Sequence, residues 1–313
     1  MSAAARWPAV VSWAALIGML LVVEQVWGWG RLLAPWGQIA PGAALAALGL
    51  LVMSYILRAL RLLDYFRLEL SGRFVACLKL TLLHNLANNL LPMRAGEVSF
   101  PVLMSRYFGM DVARSVAGLF WFRLLDLHAI VLISLSALAL APLSVSLWGQ
   151  GALALVLLLL PAPFLAYALR GRALSWCEGR GGRLSAKAVQ ALQALPADGR
   201  ELWRSFIWTW VNWLVKLAAL AWVLAAFLPM PAALAWLGAI GGDLTSVLPV
   251  HAPGGFGTYE AGVLAAILPF GLAAAQVVPA AINLHLFLLG SSLLAGALAW
   301  LLPAPKAGQT PGT

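Results

Sequence analysis

The feature that most constrains the fold is a series of apolar segments of about 20 residues. They cover residues 7–26, 42–62, 113–140, 149–169, 205–228 and 277–302. A helix of roughly 20 apolar residues is long enough to cross the hydrocarbon core of a bilayer. Because 63% of the residues are hydrophobic and only 10% are charged, a soluble globular domain is excluded. The sequence therefore predicts an all-α polytopic membrane protein with about six transmembrane helices.

Two further apolar segments are interrupted, and each predicts a re-entrant helical hairpin. The first has arms at residues 74–91 and 98–107, and the second at 231–248 and 260–268. The return arms are too short to cross a core of about 30 Å at 1.5 Å per residue. Non-helical backbone is tolerated inside a membrane only where protein buries it or where it lines a wet cavity. We therefore expect the two hairpin tips to mark an internal site.

The positions of the basic residues predict how the chain is oriented. With a cytoplasmic N-terminus, nearly all basic residues outside the membrane lie in the cytoplasm, and Arg31 lies on the opposite side. This count treats Arg58 and Arg61, near the end of the second segment, as cytoplasmic. The asymmetry follows the positive-inside rule and indicates the cytoplasmic membrane, with both termini in the cytoplasm. It explains the net charge of +9 without nucleic acid as a partner.

The order of these segments predicts an inverted repeat within a single integral membrane domain, residues 1–313. Residues 1–140 and 149–302 each contain two helices, a hairpin and a third helix. Three crossings per half give the halves opposite orientations, which is a transporter architecture. The one long hydrophilic segment, residues 170–204, is expected to be a cytosolic loop with a short interfacial helix at 184–192.

Ionisable residues inside the apolar segments indicate a substrate site. Each costs about 2.5–3.5 kcal/mol at the bilayer centre on insertion scales, so its retention suggests a function. Backbone N–H groups at a glycine-rich tip and at half-helix N-termini attract anions, and with the buried cations they favour a phosphate-bearing substrate. The alternative is that opposite charges neutralise each other and lock the hairpins. The candidate substrate-binding residues are Arg94, Glu97, Arg123, Asp126, Lys216, Gly254, Gly255 and Glu260.

Several other polar residues suit either a proton or polar relay or a hydrogen-bonded packing role. They are His84, Asn89, Asp243 and His251. Asp243 fits a hairpin-arm ligand and a helix cap equally well, whereas His128 and His285 are interpreted as satisfied core residues. No metal-ligand spacing, cofactor signature or nucleophile–base constellation is present, so neither a metal, a cofactor nor an enzymatic activity is expected.

Three motifs in this order carry a resemblance to a known family. They are Asn-Leu-Leu-Pro-Met-Arg-Ala-Gly-Glu at 89–97, Arg123-x-x-Asp126, and Pro-Gly-Gly-Phe-Gly-Thr-Tyr-Glu at 253–260. The chain resembles the lysylphosphatidylglycerol synthase transmembrane (flippase-like) family over most of its length. That family includes the membrane half of bacterial multiple peptide resistance factors, which moves aminoacylated phosphatidylglycerol between leaflets. Phe122 departs from the pattern, because an acidic residue is expected before the arginine.

The resemblance implies a transport-like membrane domain and a lipid partner with an anionic or aminoacylated headgroup. The sequence ends at Thr313 without residues for a soluble aminoacyl-transferase domain, so lysyl transfer is not expected. The leading hypothesis is a flippase-like lipid transporter. The alternatives are a non-transporting accessory subunit of a lipid-modifying enzyme or glycosyltransferase, and a small-solute or ion-coupled secondary transporter.

Overall fold

The computed structural model describes most of the chain between residues 17 and 303. The described residues are 17–18, 20–91, 96–141, 147–180, 198–245 and 253–303, with the single positions 182, 185, 186, 189, 192 and 196. Arg94, His251 and most of the helix predicted at 184–192 lie outside them. Of the first predicted helix, residues 20–26 are described and helical.

Ten helices of ten residues or more carry the fold of the described part, in which no strand occurs. They are α1 (Pro41–Tyr65), α2 (Phe74–Leu90), α3 (Ser99–Phe108), α4 (Val112–Ala139), α5 (Leu147–Leu159), α6 (Ala162–Glu178), α7 (Gly199–Phe227), α8 (Ala232–Thr245), α9 (Thr258–Ile267) and α10 (Ala274–Leu301). Among the described residues, five segments are long and apolar enough to cross a membrane: α1, α4, Gly149–Glu178, α7 and α10. The chain is an all-α, multi-pass membrane protein, as predicted.

Both interrupted segments form pairs of short helices, as expected for hairpin arms. The first pair is α2 and α3, and the second is α8 and α9. The return arms α3 and α9 have only ten residues each, which is about half the length that a membrane crossing needs.

The main difference from the prediction lies between residues 147 and 204. The predicted crossing at 149–169 consists of two helices, because Pro161 has no backbone N–H to continue α5 and instead precedes the first turn of α6. Helix α6 then continues to Glu178, and α7 begins at Gly199, directly after its N-cap residue Asp198. Helices therefore extend into both ends of the predicted loop 170–204, since charged residues end an apolar run without ending a helix.

Helix α7 lies in the largest apolar cluster of the described residues. Its side chains Leu217, Leu220 and Leu224 are fully buried. The same cluster contains residues of α1, α4, α8, α9 and α10. A second cluster joins the cytoplasmic end predicted for α1 to α2, α3 and α4. Between helices in lipid, close packing stabilises such contacts more than removal from water does.

The two arms of the second hairpin pack against each other through glycine. A Cβ on Gly241 of α8 would lie 2.3 Å from the carbonyl oxygen of Gly262 on α9, and one on Gly262 would lie 2.2 Å from the oxygen of Gly241. Only glycine allows two backbones to approach this closely. The contact fixes the angle and register of the two arms.

Gly241→Ala is expected to destabilise the fold by about 1–3 kcal/mol, because overfilling a close-packed contact forces the helices apart. The matched control is Gly290→Ala in α10, where a new Cβ meets nothing within 4 Å. The control is expected to change stability by no more than about 1 kcal/mol. Thermal unfolding of the purified protein compares the two, and equal midpoints would contradict the packing argument.

Candidate functional site

A cavity of about 330 Å³ lies beside the first hairpin, between α1, α2, α4, α7 and α8. Seven charged side chains of the described residues line it: Arg58, Arg61, Glu97, Arg123, Asp126, Lys216 and Asp243. Five of these were predicted from the sequence as site or relay residues, and the structure brings those five together. His84 and Asn89 line the same cavity.

The most buried ion pair at the cavity joins Arg61 of α1 to Asp126 of α4. Their closest atoms are 2.7 Å apart, and each side chain is only 8% exposed. Arg61 also donates to Thr209 Oγ1 (3.0 Å), and Trp213 Nε1 donates to Asp126 (2.9 Å), so α7 completes the arrangement. Hydrogen bonds to every charged group offset the desolvation that a buried pair otherwise suffers.

Phe122 provides a third contact of the Arg61 guanidinium, after Asp126 and Thr209. The carbon Cζ of Arg61 lies 4.4 Å from the centre of the Phe122 ring, which is buried. A cation over an aromatic face is stabilised by the ring quadrupole. The aromatic residue therefore contacts a cation at a position where the family pattern suggested an acid.

Arg123 binds two carboxylates at the edge of the cavity. Its guanidinium lies 2.6 Å from Glu97, which precedes α3, and 3.3 Å from Asp126 on its own helix. The predicted pairing of Arg123 with Asp126 across one helical turn is confirmed. Arg123 is 37% exposed and Glu97 is 25% exposed, so their ion pair is the accessible one.

Lys216 and Asp243 form a third pair that joins α7 to the outgoing arm of the second hairpin. The Lys216 ammonium donates to both carboxylate oxygens of Asp243 at 2.6 Å. Asp243 lies in the last turns of α8 and is buried, so its contact is with the opposing helix. The structure shows this ion pair, and the two roles predicted for Asp243, hairpin-arm ligand and helix cap, stay predictions.

Arg58 was not identified from the sequence, yet it lines the cavity. Its guanidinium donates to Asn212 Oδ1 (3.3 Å) and to Asn85 Oδ1 (3.2 Å). Ser54 also donates to Asn212 Oδ1, at 2.9 Å. Within the described part of the chain, no carboxylate lies within ion-pair distance of Arg58. This cation is held by neutral amide oxygens.

The polar residues of α2 bind one another, the return arm of the first hairpin and α10. The Nδ2 amide of Asn88 donates to His84 Nε2 (3.0 Å), and His84 Nδ1 is 2.9 Å from Ser99 Oγ on α3. Asn89 donates to Ser292 on α10 at 2.6 Å. These contacts match the packing alternative.

Gly254, Gly255 and Glu260, the described site residues of the second tip, lie outside this cavity, so the predicted set is divided between two places. Glu260 is buried at the start of α9, where it accepts from the backbone N–H of Gly257 (2.7 Å) and contacts His285 Nδ1 (2.8 Å). Gly254 and Gly255 face Leu289 and His285 of α10. The amide of Gly257 is therefore bound by a carboxylate of its own helix and is not available to an anion.

Arg58 and Arg61 are the cavity residues that sequence reasoning assigned elsewhere. His285 is buried and hydrogen-bonded, as predicted for a satisfied core residue. Ser54, Arg58 and Arg61 recur at helical spacing on one face of α1, and that spacing was the available signal. Their position near the end of an apolar segment placed both arginines among the cytoplasmic charges instead.

Comparison with curated proteins and with solved structures finds no match. The family model described as "Lysylphosphatidylglycerol synthase TM region" matches residues 9–296. The match includes both hairpins and every described helix through most of α10, and therefore all of the charged side chains at the cavity. The chain belongs to the family of lysylphosphatidylglycerol synthase transmembrane regions.

Proposed function

We propose that this chain binds the phosphate of a membrane lipid headgroup in the cavity and moves the lipid between the leaflets of the cytoplasmic membrane. The observation that carries the proposal is Arg58, a cation in the cavity with no carboxylate within ion-pair distance among the described residues. A buried charge of this kind is costly unless a counter-ion compensates it. A lipid phosphate supplies that counter-ion.

The charges around the cavity favour an anion over a cation. Its carboxylates are engaged: Asp126 by Arg61 and Arg123, Glu97 by Arg123, and Asp243 by Lys216. Phosphate oxygens accept charge-assisted hydrogen bonds from guanidinium groups with good geometry. For an incoming phosphate, Arg58 is therefore the cation without a carboxylate in ion-pair distance among the described residues, and Arg123 and Lys216 are further donors.

The walls of the cavity favour a lipid over a small solute. Leu124 and Leu127 of α4 and Leu244 of α8 line it and are 41%, 52% and 37% exposed. In a membrane protein such leucines face lipid. A volume of about 330 Å³ lies at the lower end for ligand sites and suits a headgroup. The acyl chains would remain in the bilayer and pass between α4 and α8.

Family membership supports a function that involves membrane lipids. The cavity is formed by helices of both predicted repeat halves, α1, α2 and α4 from the first and α7 and α8 from the second. We propose that rocking of one half against the other exposes the headgroup to each leaflet in turn, which is the usual motion of inverted-repeat transporters.

Arg58→Gln is expected to weaken binding of a phosphate headgroup by roughly 10- to 100-fold, since a hydrogen bond to a charged group contributes about 1.5–3 kcal/mol. Glutamine retains a donor for the amide oxygens of Asn85 and Asn212, so folding is expected to persist. Movement of labelled phosphatidylglycerol in proteoliposomes measures the effect. The control is Arg67→Gln, which changes an exposed arginine just beyond α1.

Two outcomes of that assay would contradict the proposal. If Arg58→Gln and Arg67→Gln move lipid at the wild-type rate, the cavity is not the headgroup site. If the purified wild-type protein moves no lipid, the accessory-subunit alternative is favoured.

Glu97→Gln is expected to strengthen binding of anionic phosphatidylglycerol several-fold, because Arg123 then no longer shares its charge with a carboxylate. Removing an accessible ion-pair partner alters free energies by about 0.2–1 kcal/mol, which sets this modest scale. Titration of the protein with lipid in detergent micelles measures it. Glu69→Gln, which releases Arg114, is the control. Weaker binding in Glu97→Gln would show instead that Glu97 holds a cationic part of the headgroup.

A further inference from the structure

We propose that Glu260 and His285 form a proton-binding site that controls the turn of the second hairpin and couples lipid movement to protons. The coupling rests on the proposed function, whereas the proton-binding site itself does not. Neither residue lines the headgroup cavity. The pair is a second, separate ionisable cluster of the described residues.

One carboxylate holds three parts of the structure together. Glu260 Oε2 accepts from the backbone N–H of Gly257 at 2.7 Å, and Glu260 Oε1 lies 2.8 Å from His285 Nδ1. The first contact is the carboxylate half of a capping box, in which the side chain at the third helical position binds the backbone N–H of the N-cap residue Gly257. The second attaches α9 to α10. The position of the turn before α9 therefore depends on the charge state of this one pair.

The turn before α9 is rich in glycine, which lowers the steric cost of changing its conformation. Gly254, Gly255 and Gly257 have φ angles of 70°, 76° and 83°, in the left-handed region that only glycine adopts readily. Besides the Glu260 contact, the hydroxyl of Thr258 donates to the carbonyl oxygen of Gly255 at 2.9 Å. With three such glycines, the turn can rearrange at low steric cost once Glu260 no longer binds the backbone N–H of Gly257.

Burial makes the pair sensitive to the loss of one proton. The Glu260 and His285 side chains are only 7% and 2% exposed. Tyr259 stacks on the imidazole at a centroid distance of 4.3 Å, and Phe256 lies 4.9 Å away. With protonated histidine the pair is neutral overall. When that proton leaves, a buried carboxylate remains beside a neutral ring, which is costly and favours an open, hydrated turn.

Tyr259 connects this pair to the cavity. Its ring lies against α8, where a Cβ on Gly242 would come within 2.6 Å of it. The next residue, Asp243, binds Lys216 at the cavity wall. The Tyr259 hydroxyl is buried and has no hydrogen-bond partner among the described residues. A shift of this ring would therefore disturb the cavity wall and break no hydrogen bond of its own.

The other ionisable side chains on the elements packed against α9 and α10 have different partners. Asp243 of α8 and Lys216 of α7 bind each other. On α2, His84 binds Ser99, and Lys79 donates to the carbonyl oxygen of Leu302. On α1, Arg58 donates to the side-chain amides of Asn85 and Asn212. Glu24 accepts from Trp29 N, and Arg31 is exposed. Within the described residues, Glu260 and His285 are thus each other's only ionic partners.

Amide hydrogen exchange of the nanodisc-embedded protein between about pH 5 and 8 tests the proton site directly. After correction for intrinsic exchange, protection of residues 253–260 in the wild type is expected to fall by up to about tenfold per pH unit over the titration range. The turn at Gly271, also at positive φ, has no ionisable residue from 261 to 282 and is the internal control. Its corrected exchange is expected to remain constant.

Glu260→Gln keeps a capping side chain and removes the charge, so its corrected exchange is expected to be independent of pH. His285→Gln provides a second variant with the same expectation if Glu260→Gln does not fold. A wild-type segment that responds no more than the Gly271 turn would overturn the proton site. So would a pH response that persists unchanged in both variants.

Proteoliposomes test the coupling separately. For one proton per lipid, a gradient of one pH unit is expected to produce up to about tenfold lipid asymmetry between leaflets in the wild type. Glu260→Gln is expected to give none, and Glu69→Gln to behave as wild type. If lipid movement by the wild type does not depend on the pH gradient, the coupling is overturned and the proposed function is unaffected. No wild-type movement at all would contradict the proposed function, and the exchange experiment would still decide the proton site.

Discussion

The buried ion pair between Arg61 and Asp126 is the interaction on which the cavity depends. Charges at this depth are tolerated only when every one is compensated, and here Thr209, Trp213 and the Phe122 ring complete the compensation. The pair joins α1, α4 and α7, three of the five helices around the cavity. Arg123 and Lys216 also bind carboxylates, whereas Arg58 binds side-chain amide oxygens.

The two hairpins contribute to the site in different ways. The first places Glu97, His84 and Asn89 at the cavity, whereas the second contributes Asp243 through its outgoing arm. The tip of the second hairpin instead keeps Glu260 for its own helix start and for His285. In our proposals, this division separates a headgroup site from a proton site, and Gly242 and Tyr259 join the two by direct contact.

Local sequence patterns were sufficient to predict the helices, but they did not predict which residues far apart in the sequence form pairs. The extended Leu91 before Pro92 ends α2 by backbone rules, and the described arms of both hairpins agree with expectation closely. Arg58 and Arg61 were missed because charge counting records how near a residue is to a helix end, and not which face it occupies. The contact of Glu260 with His285 spans 25 residues and depends on how α9 packs on α10.

The central claim is that the cavity beside Arg58 holds a lipid phosphate. Electron cryomicroscopy of the protein in nanodiscs that contain phosphatidylglycerol tests this most directly. The account predicts headgroup density within hydrogen-bond distance of the Arg58 guanidinium, with acyl-chain density leaving between α4 and α8. A well-resolved map in which lipid covers only the outer surface, with water alone beside Arg58, would contradict it.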